Sequence, residues 1–199
     1  MAYSEIEIKF LVDNLHEVEA RLKTADARLV APRVYERNVR YENADKTLRE
    51  QKKVVRLRQD TRVRLTFKDE GGGRLASGAF SRFEAEVEVS DFDAMNVILE
   101  RLGYFPHMIY EKYRTTYTLE GAEVVLDEMP YGHFVEIEGE ETAIQKVMQI
   151  LGLNETSAMQ GGYAVLFENV KRSLGLHFQD LTFANFEGIS VPANAFKFG

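Results

Sequence analysis

The chain has 199 residues, 45% of them hydrophobic, no cysteine and a formal net charge of −7. That length suits one sizeable domain, the apolar share argues against wholesale disorder, and the missing thiols exclude a disulfide scaffold or a thiolate zinc site. The acidity disfavours a nucleic-acid polymer as partner, so any affinity for phosphate must come from a local basic cluster. No apolar run reaches membrane-spanning length and the charged N-terminus lacks signal-peptide order, so the expectation is a cytoplasmic chain with no membrane partner.

Glu5-Ile6-Glu7-Ile8-Lys9-Phe10 opens the chain with strict alternation, which in a strand puts Glu5, Glu7 and Lys9 on one face and Ile6, Ile8 and Phe10 on the other. Positions 14–27 read as an amphipathic helix carrying Leu15, Val18 and Leu22, with Asp13 or Asn14 as its N-cap. A strand is expected over 33–42, then a polar turn at Asn43-Ala44-Asp45. Positions 54–59 and 62–69 form a hairpin across Asp60-Thr61. Gly71-Gly72-Gly73 reads as a flexible loop, because no Gly-Lys-Ser/Thr ending makes it a P-loop. A strongly alternating strand spans 80–90, Asp91 caps a helix to about Leu102, and strands follow at 109–119, 123–127 and 133–139. Helices are expected over 140–151 and 162–174. Beyond position 170 an extension over 171–199 holds Phe178, Phe183, Phe186, Phe196 and Phe198 at irregular spacing, to be packed on the 1–170 domain or at a partner interface.

Short turns between strands favour antiparallel pairing, so the class is α+β with a large antiparallel sheet or barrel. Its polar faces are crowded with charge. Arg56 and Arg58 share one face, as do Arg62, Arg64, Thr66 and Lys68, then Arg82, Glu84, Glu86 and Glu88, then Lys112 and Arg114, then Glu136 and Glu138. An open sheet would turn these to water in weak cross-strand pairs worth roughly 0.2–1 kcal/mol each. A closed barrel of about eight strands would enclose them around one small ligand. Such an interior suits a compact polyanion chelated to a divalent cation, with guanidinium and ammonium groups on phosphate oxygens and carboxylates on Mg²⁺ or Mn²⁺.

The order of these segments resembles the CYTH superfamily, also called triphosphate tunnel metalloenzymes. Glu5-x-Glu7-x-Lys9 is similar to its signature, Val55-Arg56-Leu57-Arg58 to its Leu-Arg-Ile-Arg strand, and Leu65-Thr66-Phe67-Lys68 to its Leu-Thr-x-Lys strand. Arg82-x-Glu84-x-Glu86, Lys112-x-Arg114, and Leu126-Asp127 through Gly132-x-Phe134 to Glu136-x-Glu138 continue the match, which runs from about Glu5 to Tyr163. Two departures stand out. Arg40-Tyr41-Glu42-Asn43-Ala44-Asp45 replaces Tyr-Phe-Asp-Thr-Pro-Asp, and the His-Phe-x-Gly stretch associated with one group of class IV adenylyl cyclases is absent.

The resemblance implies a closed eight-stranded antiparallel barrel with flanking helices, acting on a triphosphate-containing small molecule with Mg²⁺ or Mn²⁺. It implies Glu5, Glu7, Glu84, Glu86, Asp127, Glu136 and Glu138 as metal ligands. Lys9, Arg56, Arg58, Arg64, Lys68, Arg82, Lys112 and Arg114 would bind phosphate, with Glu7, Lys9 and Glu136 at the chemistry. Phosphoanhydride hydrolysis, of inorganic triphosphate or an organic one such as thiamine triphosphate, is the first reading. A class IV-type cyclase and a non-catalytic triphosphate-binding module are the alternatives, and a homodimer stays open. No serine or cysteine nucleophile chemistry is indicated, since His16, His107, His133 and His177 lie in unrelated contexts.

Overall fold

The alternating segments form eight antiparallel strands: β1 (Ser4–Val12), β2 (Arg28–Asn43), β3 (Lys53–Gln59), β4 (Val63–Arg74), β5 (Phe80–Val89), β6 (Tyr104–Leu119), β7 (Ala122–Met129) and β8 (Gly132–Glu138). They are seen in a computed structural model that describes residues 4–75 and 78–197, apart from the side chains at 4 and 70–72. The hydrogen-bonded order is β1-β5-β4-β3-β2-β6-β7-β8. β1 pairs with β5 over Ser4–Glu7 and with β8 over Glu7–Val12, so the sheet rolls into a closed barrel. The strand order therefore ends on the strand where it began.

Two strands outrun their sequence signals. β2 and β6 pair from Arg28 opposite Thr118 to Asn43 opposite Tyr104, through three register shifts that let a long ribbon bend with the wall. Gly71-Gly72-Gly73, expected as a loop, lies inside β4, and Gly73 pairs with Ser81 beyond a register shift that starts at Asp69. Backbone pairing needs no side chain, so a polyglycine stretch joins a ladder when a neighbouring strand is there to receive it.

Among the described residues five α-helices pack on the outside: α1 (Leu15–Thr24), α2 (Thr47–Glu50), α3 (Phe92–Arg101), α4 (Glu141–Leu151) and α5 (Tyr163–Leu174). Asn14 and Asp91 cap α1 and α3, their Oδ1 atoms accepting from His16 N (2.9 Å) and Ala94 N (2.7 Å). Gly152 ends α4 at φ 64°, the left-handed turn that glycine adopts without a Cβ penalty. Apolar side chains of the strands point outward, and many of them meet these helices, while Phe83 and Val87 of β5 stay exposed. Ile8, Phe10, Val124 and Ile137 pack with Leu22 of α1 and Ile144, Val147 and Leu151 of α4. Val39, Tyr41 and Leu57 pack with Leu99 of α3.

A third cluster holds the C-terminal extension to the domain. Phe186, Ala195 and Phe196 are buried against Tyr131, Phe134 and the α5 residues Leu166 and Phe167, with Phe178 packed alongside. Leu181 exchanges backbone hydrogen bonds with β6, donating to Ile109 O (2.9 Å) and accepting from Glu111 N (3.0 Å). The boundary expected at position 170 falls inside α5. Phe198 lies outside the described residues.

Candidate active site

With apolar side chains of the strands turned outward, the alternating charged side chains face the barrel interior. Every site residue expected from the sequence except Asp127 lines one cavity of about 550 Å³. Burying a charge costs several kcal/mol even after relaxation, so such an interior holds together only through pairing. The pairing is dense and it has two poles.

At one pole the cations of β3 and β6 gather. Arg56 donates to the Tyr110 hydroxyl (3.2 Å) and to Thr66 Oγ1 (3.1 Å). Arg58 donates to Asn38 Oδ1 (2.9 Å) and pairs with Glu36 at 3.2 Å. Lys112, buried to within 1% of its surface, lies between Glu36 (3.2 Å) and Asp127 (3.0 Å). Burial and then the neighbouring Arg56 pull the Arg58 pKa down. Burial would raise the Tyr110 phenol, yet Arg56, Arg58 and Lys112 bring it down to about 8. The contribution shared by both shifts is the crowding of positive charge, with Arg56 acting on each of them.

At the other pole carboxylates crowd. Glu5 accepts from Lys68 (2.9 and 3.0 Å) and from Arg82 Nε (2.6 Å), and Arg82 also pairs with Glu7 at 2.9 Å. Lys68 contacts Glu84 as well. Burial would raise Glu5, but a hydrogen bond with Glu84 and the charges of Lys68 and Arg82 hold it far below the usual carboxylate range. Glu84 retains the proton of that pair, pushed up to about 7 by burial and by Glu5. Glu138, opposite Glu7 on β1 and Glu123 on β7, is raised too, by burial and then by Glu5, Glu123 and Glu7. Glu86 is more fully matched: it accepts from Thr66 (2.8 Å) and pairs with Arg64 (3.3 Å) and Arg56 (3.6 Å).

Lys9 and Glu136 join the poles. Glu136 pairs with Lys9 at 2.8 Å and Arg114 at 2.6 Å, and Lys9, Arg114 and Lys112 hold its carboxyl well below the usual range against burial. Lys9 Nζ sits 4.1 Å from the centre of the Tyr163 ring, which enters from the start of α5. Asp127 stands behind this wall at 0% exposure. It accepts from Lys112 (3.0 Å), from Arg114 Nε and Nη2 (2.7 and 2.6 Å) and from the Tyr163 hydroxyl (2.6 Å). Its observed work is to hold two cations and a helix in place.

Sequence reasoning missed Glu36, Asn38, Tyr110 and Arg40. Glu36 and Asn38 are almost wholly buried at the cationic pole, and Tyr110 and Arg40 line the cavity. Their signal was faint because the outward face of β2 also carries polar residues. Arg33 pairs outside with Glu128 at 2.7 Å, and Tyr35 donates to Glu111 at 2.8 Å, so the alternation of polarity vanishes along that stretch. None of the four histidines lines this cavity.

The comparisons agree with this architecture. A protein of Methanocaldococcus jannaschii described as a candidate adenylate cyclase is 25% identical over 156 residues, spanning 74% of this chain and 87% of that one. A solved structure from Vibrio parahaemolyticus, also described as a candidate adenylate cyclase, matches with TM-score 0.69 at 21% identity over 82% of this chain and 97% of that one. A Hippeastrum structure, presented as a candidate adenylyl cyclase with a dominant triphosphatase activity, matches with TM-score 0.62 at 17% identity over 82% and 95% of the two chains. The CYTH domain model matches residues 4–163, most of the chain and every strand of the barrel, and the protein belongs to the CYTH domain family.

Proposed function

We propose that this protein is a divalent-metal-dependent enzyme that hydrolyses a phosphoanhydride bond of a triphosphate. The observation that carries the reading is the two-pole interior. One tunnel holds a belt of cations in which burial and then Arg56 depress Arg58, and in which neighbouring cations depress Tyr110, beside carboxylates in which burial and then Glu5 push Glu84 up to about 7. A triphosphate relieves the first crowding and a divalent cation the second.

The donor set fits Mg²⁺ or Mn²⁺ in kind, since Glu5, Glu84 and Glu138 are oxygen donors and Glu5 raises the pKa of both others. Among the described residues no three such side chains are already gathered as a metal site; Lys68 bridges Glu5 and Glu84, and Arg82 bridges Glu5 and Glu7. Binding of a cation and a triphosphate there would have Lys68 and Arg82 exchange these carboxylate partners for phosphate oxygens. When bound, the cation supplies Lewis-acid polarisation of the phosphoryl group and a more acidic attacking water.

The remaining steps belong to the chain. Arg56, Arg58, Lys112 and Arg114 receive phosphate oxygens and stabilise charge on the transferred group and the leaving diphosphate. Glu136 keeps Lys9 and Arg114 aimed at one place. Glu7, next to Arg82 and 3.8 Å from Lys9, orients the attacking water and takes its proton. A cyclase reading is favoured by the descriptions of the Methanocaldococcus jannaschii and Vibrio parahaemolyticus proteins, and needs only that a ribose hydroxyl replace water at a different phosphorus. Incubation with Mg²⁺ or Mn²⁺ and, separately, tripolyphosphate, thiamine triphosphate and ATP tests both. Orthophosphate without cyclic AMP supports the hydrolase. Cyclic AMP with matching pyrophosphate replaces it with the cyclase, and saturable binding without product leaves a binding module.

A further inference from the structure

β6 is longer than the hairpin beside it. It pairs with β2 from Tyr104 to Thr118, but with β7 only from Tyr113 onward. The first half of the strand therefore has a second edge that β7 does not reach. Backbone groups of His107, Ile109 and Glu111 point at that edge, and left unpaired they would let the wall fray.

The C-terminal extension, which lies beyond the residues matched by the CYTH domain model, meets this edge. Gln179 donates its side-chain amide to His107 O. Asp180 Oδ1 accepts from Ile109 N at 2.8 Å. Leu181 then donates to Ile109 O (2.9 Å) and accepts from Glu111 N (3.0 Å), a parallel bridge centred on Tyr110. Further along, Phe183 N donates to the Glu111 carboxylate at 2.9 Å. The Phe183 ring lies 5.3 Å from that of Tyr113, where β7 takes over. The segment is itself fixed: Leu181 is wholly buried, and Asn185 Nδ2 donates to Asp180 O at 2.8 Å.

What this clamp holds is the inward face. Side chains alternate along a strand, so Met108, Tyr110 and Lys112 sit between the clamped residues and face the other way. Met108 reaches a second cavity of about 380 Å³ that adjoins the tunnel and is partly apolar, with Met159 and Val165 in its lining. Tyr110 reaches the cationic pole. There its hydroxyl (3.2 Å) and Thr66 Oγ1 (3.1 Å) are the two acceptors that set the plane of the Arg56 guanidinium. A guanidinium binds phosphate through a rigid fork, so its orientation decides how many oxygens it receives.

We infer that residues 179–181 form a positioning segment of the site, with Asp180 as its anchor: holding the second edge of β6 keeps Tyr110, and through it Arg56, set to receive phosphate. This role rests on the triphosphate reading and adds to it a part of the chain that lies outside the barrel. A segment that only added stability would change how much protein is folded, and not how the folded protein binds.

Steady-state kinetics with Mg²⁺ would follow tripolyphosphate and ATP, well below each Tm, in the wild type, Asp180→Ala, Asp180→Asn, Tyr110→Phe and the Asp180→Ala/Tyr110→Phe double variant. The cationic wall holds phosphate in the ground state and the transition state alike, so loosening it raises KM and leaves kcat little changed. Partial unfolding does the reverse, lowering the apparent kcat at unchanged KM. For the probe that the wild type turns over, Asp180→Ala should raise KM about threefold to tenfold, the value of one hydrogen bond. Asp180→Asn keeps an oxygen acceptor for Ile109 N and should restore KM to near the wild-type value. Tyr110→Phe should raise KM as well, and the double variant should show less than the product of the two single effects, because both act on Arg56. If Asp180→Ala does not fold, Asn185→Ala loosens the same residue by one bond and is judged by the same split between KM and kcat. An unchanged KM with a lowered kcat or Tm, or single effects that multiply in full, would overturn the inference and leave the triphosphate reading standing. A wild type that neither binds nor turns over tripolyphosphate or ATP would remove that reading, and this inference with it.

Discussion

Asp127→Ala should be among the most destabilising single changes in this protein, although Asp127 does not line the cavity. Its carboxylate is the shared acceptor for Lys112, Arg114 and Tyr163, four contacts between 2.6 and 3.0 Å at 0% exposure. Removing one partner of a buried ion pair costs roughly 3–5 kcal/mol, because the orphaned charges stay buried. Glu36 and Glu136 still face Lys112 and Arg114, which argues for the lower half of that range. A loss of about 3 kcal/mol lowers Tm by about 6–12 °C in a domain of this size. Tyr163→Phe removes one charge-assisted bond and should cost about 1.5–3 kcal/mol. Because both changes strike the same 2.6 Å contact, the double variant should lose less than the sum. Urea and thermal unfolding of the two single variants and the double variant measure all three quantities. Additive losses, or a cost below 1 kcal/mol for Asp127→Ala, would refute the assignment of Asp127 as the anchor between the cationic wall and α5.

The other expectations concern charge and packing elsewhere. Replacing Glu5 and Glu7 together by Gln should abolish metal-dependent turnover and also lower stability, since Lys68 and Arg82 lose anionic partners; full turnover in that variant would end the metal assignment. Arg56→Ala should weaken tripolyphosphate binding measured by calorimetry by about tenfold or more, the value of a charge-assisted contact; an unchanged Kd would leave Arg56 as a purely structural partner of Thr66 and Tyr110. Glu84 is raised to about 7, so in the metal-free protein its folded state keeps a proton that the unfolded state releases near 4.5. Stability from this group is present below pH 4.5 and is lost as pH rises through 7. The Tm of Glu84→Gln should therefore gain on the wild type between pH 5 and pH 8, and a constant difference would show that Glu84 is not protonated there. Phe186→Ala, which strips a ring touching Tyr131, Phe167 and Phe178, should cost roughly 3–5 kcal/mol if the extension is part of the core. A loss under 1 kcal/mol would mean that it is not.

Alternation with a period of two is local, and most of the wall was legible from it. Glu5, Glu7 and Lys9, the Arg56–Arg58 pair, the Arg82–Glu86 row and Lys112 with Arg114 all face inward as their parity required. Where both faces of a strand are polar the signal fails, which hid Glu36 and Asn38 beneath Arg33 and Tyr35. Which carboxylate meets which cation was not legible either. Glu136 reaches Lys9 on the neighbouring β1 but also Arg114, which is two strands away beyond β7.

By itself, then, the sequence determined the inward and outward faces of many strands, the helix starts at Asp13 or Asn14 and at Asp91, and the chemistry available inside a barrel, because each of these depends on residues a few positions apart. The tertiary structure alone decided that β1 would pair with both β5 and β8, that Gly71-Gly72-Gly73 would join a ladder, that the Phe-rich extension would lie against α5, and that a second, apolar cavity would open beside the charged one. Those features depend on register between segments up to more than a hundred residues apart, and registers are chosen by the packing of the whole barrel.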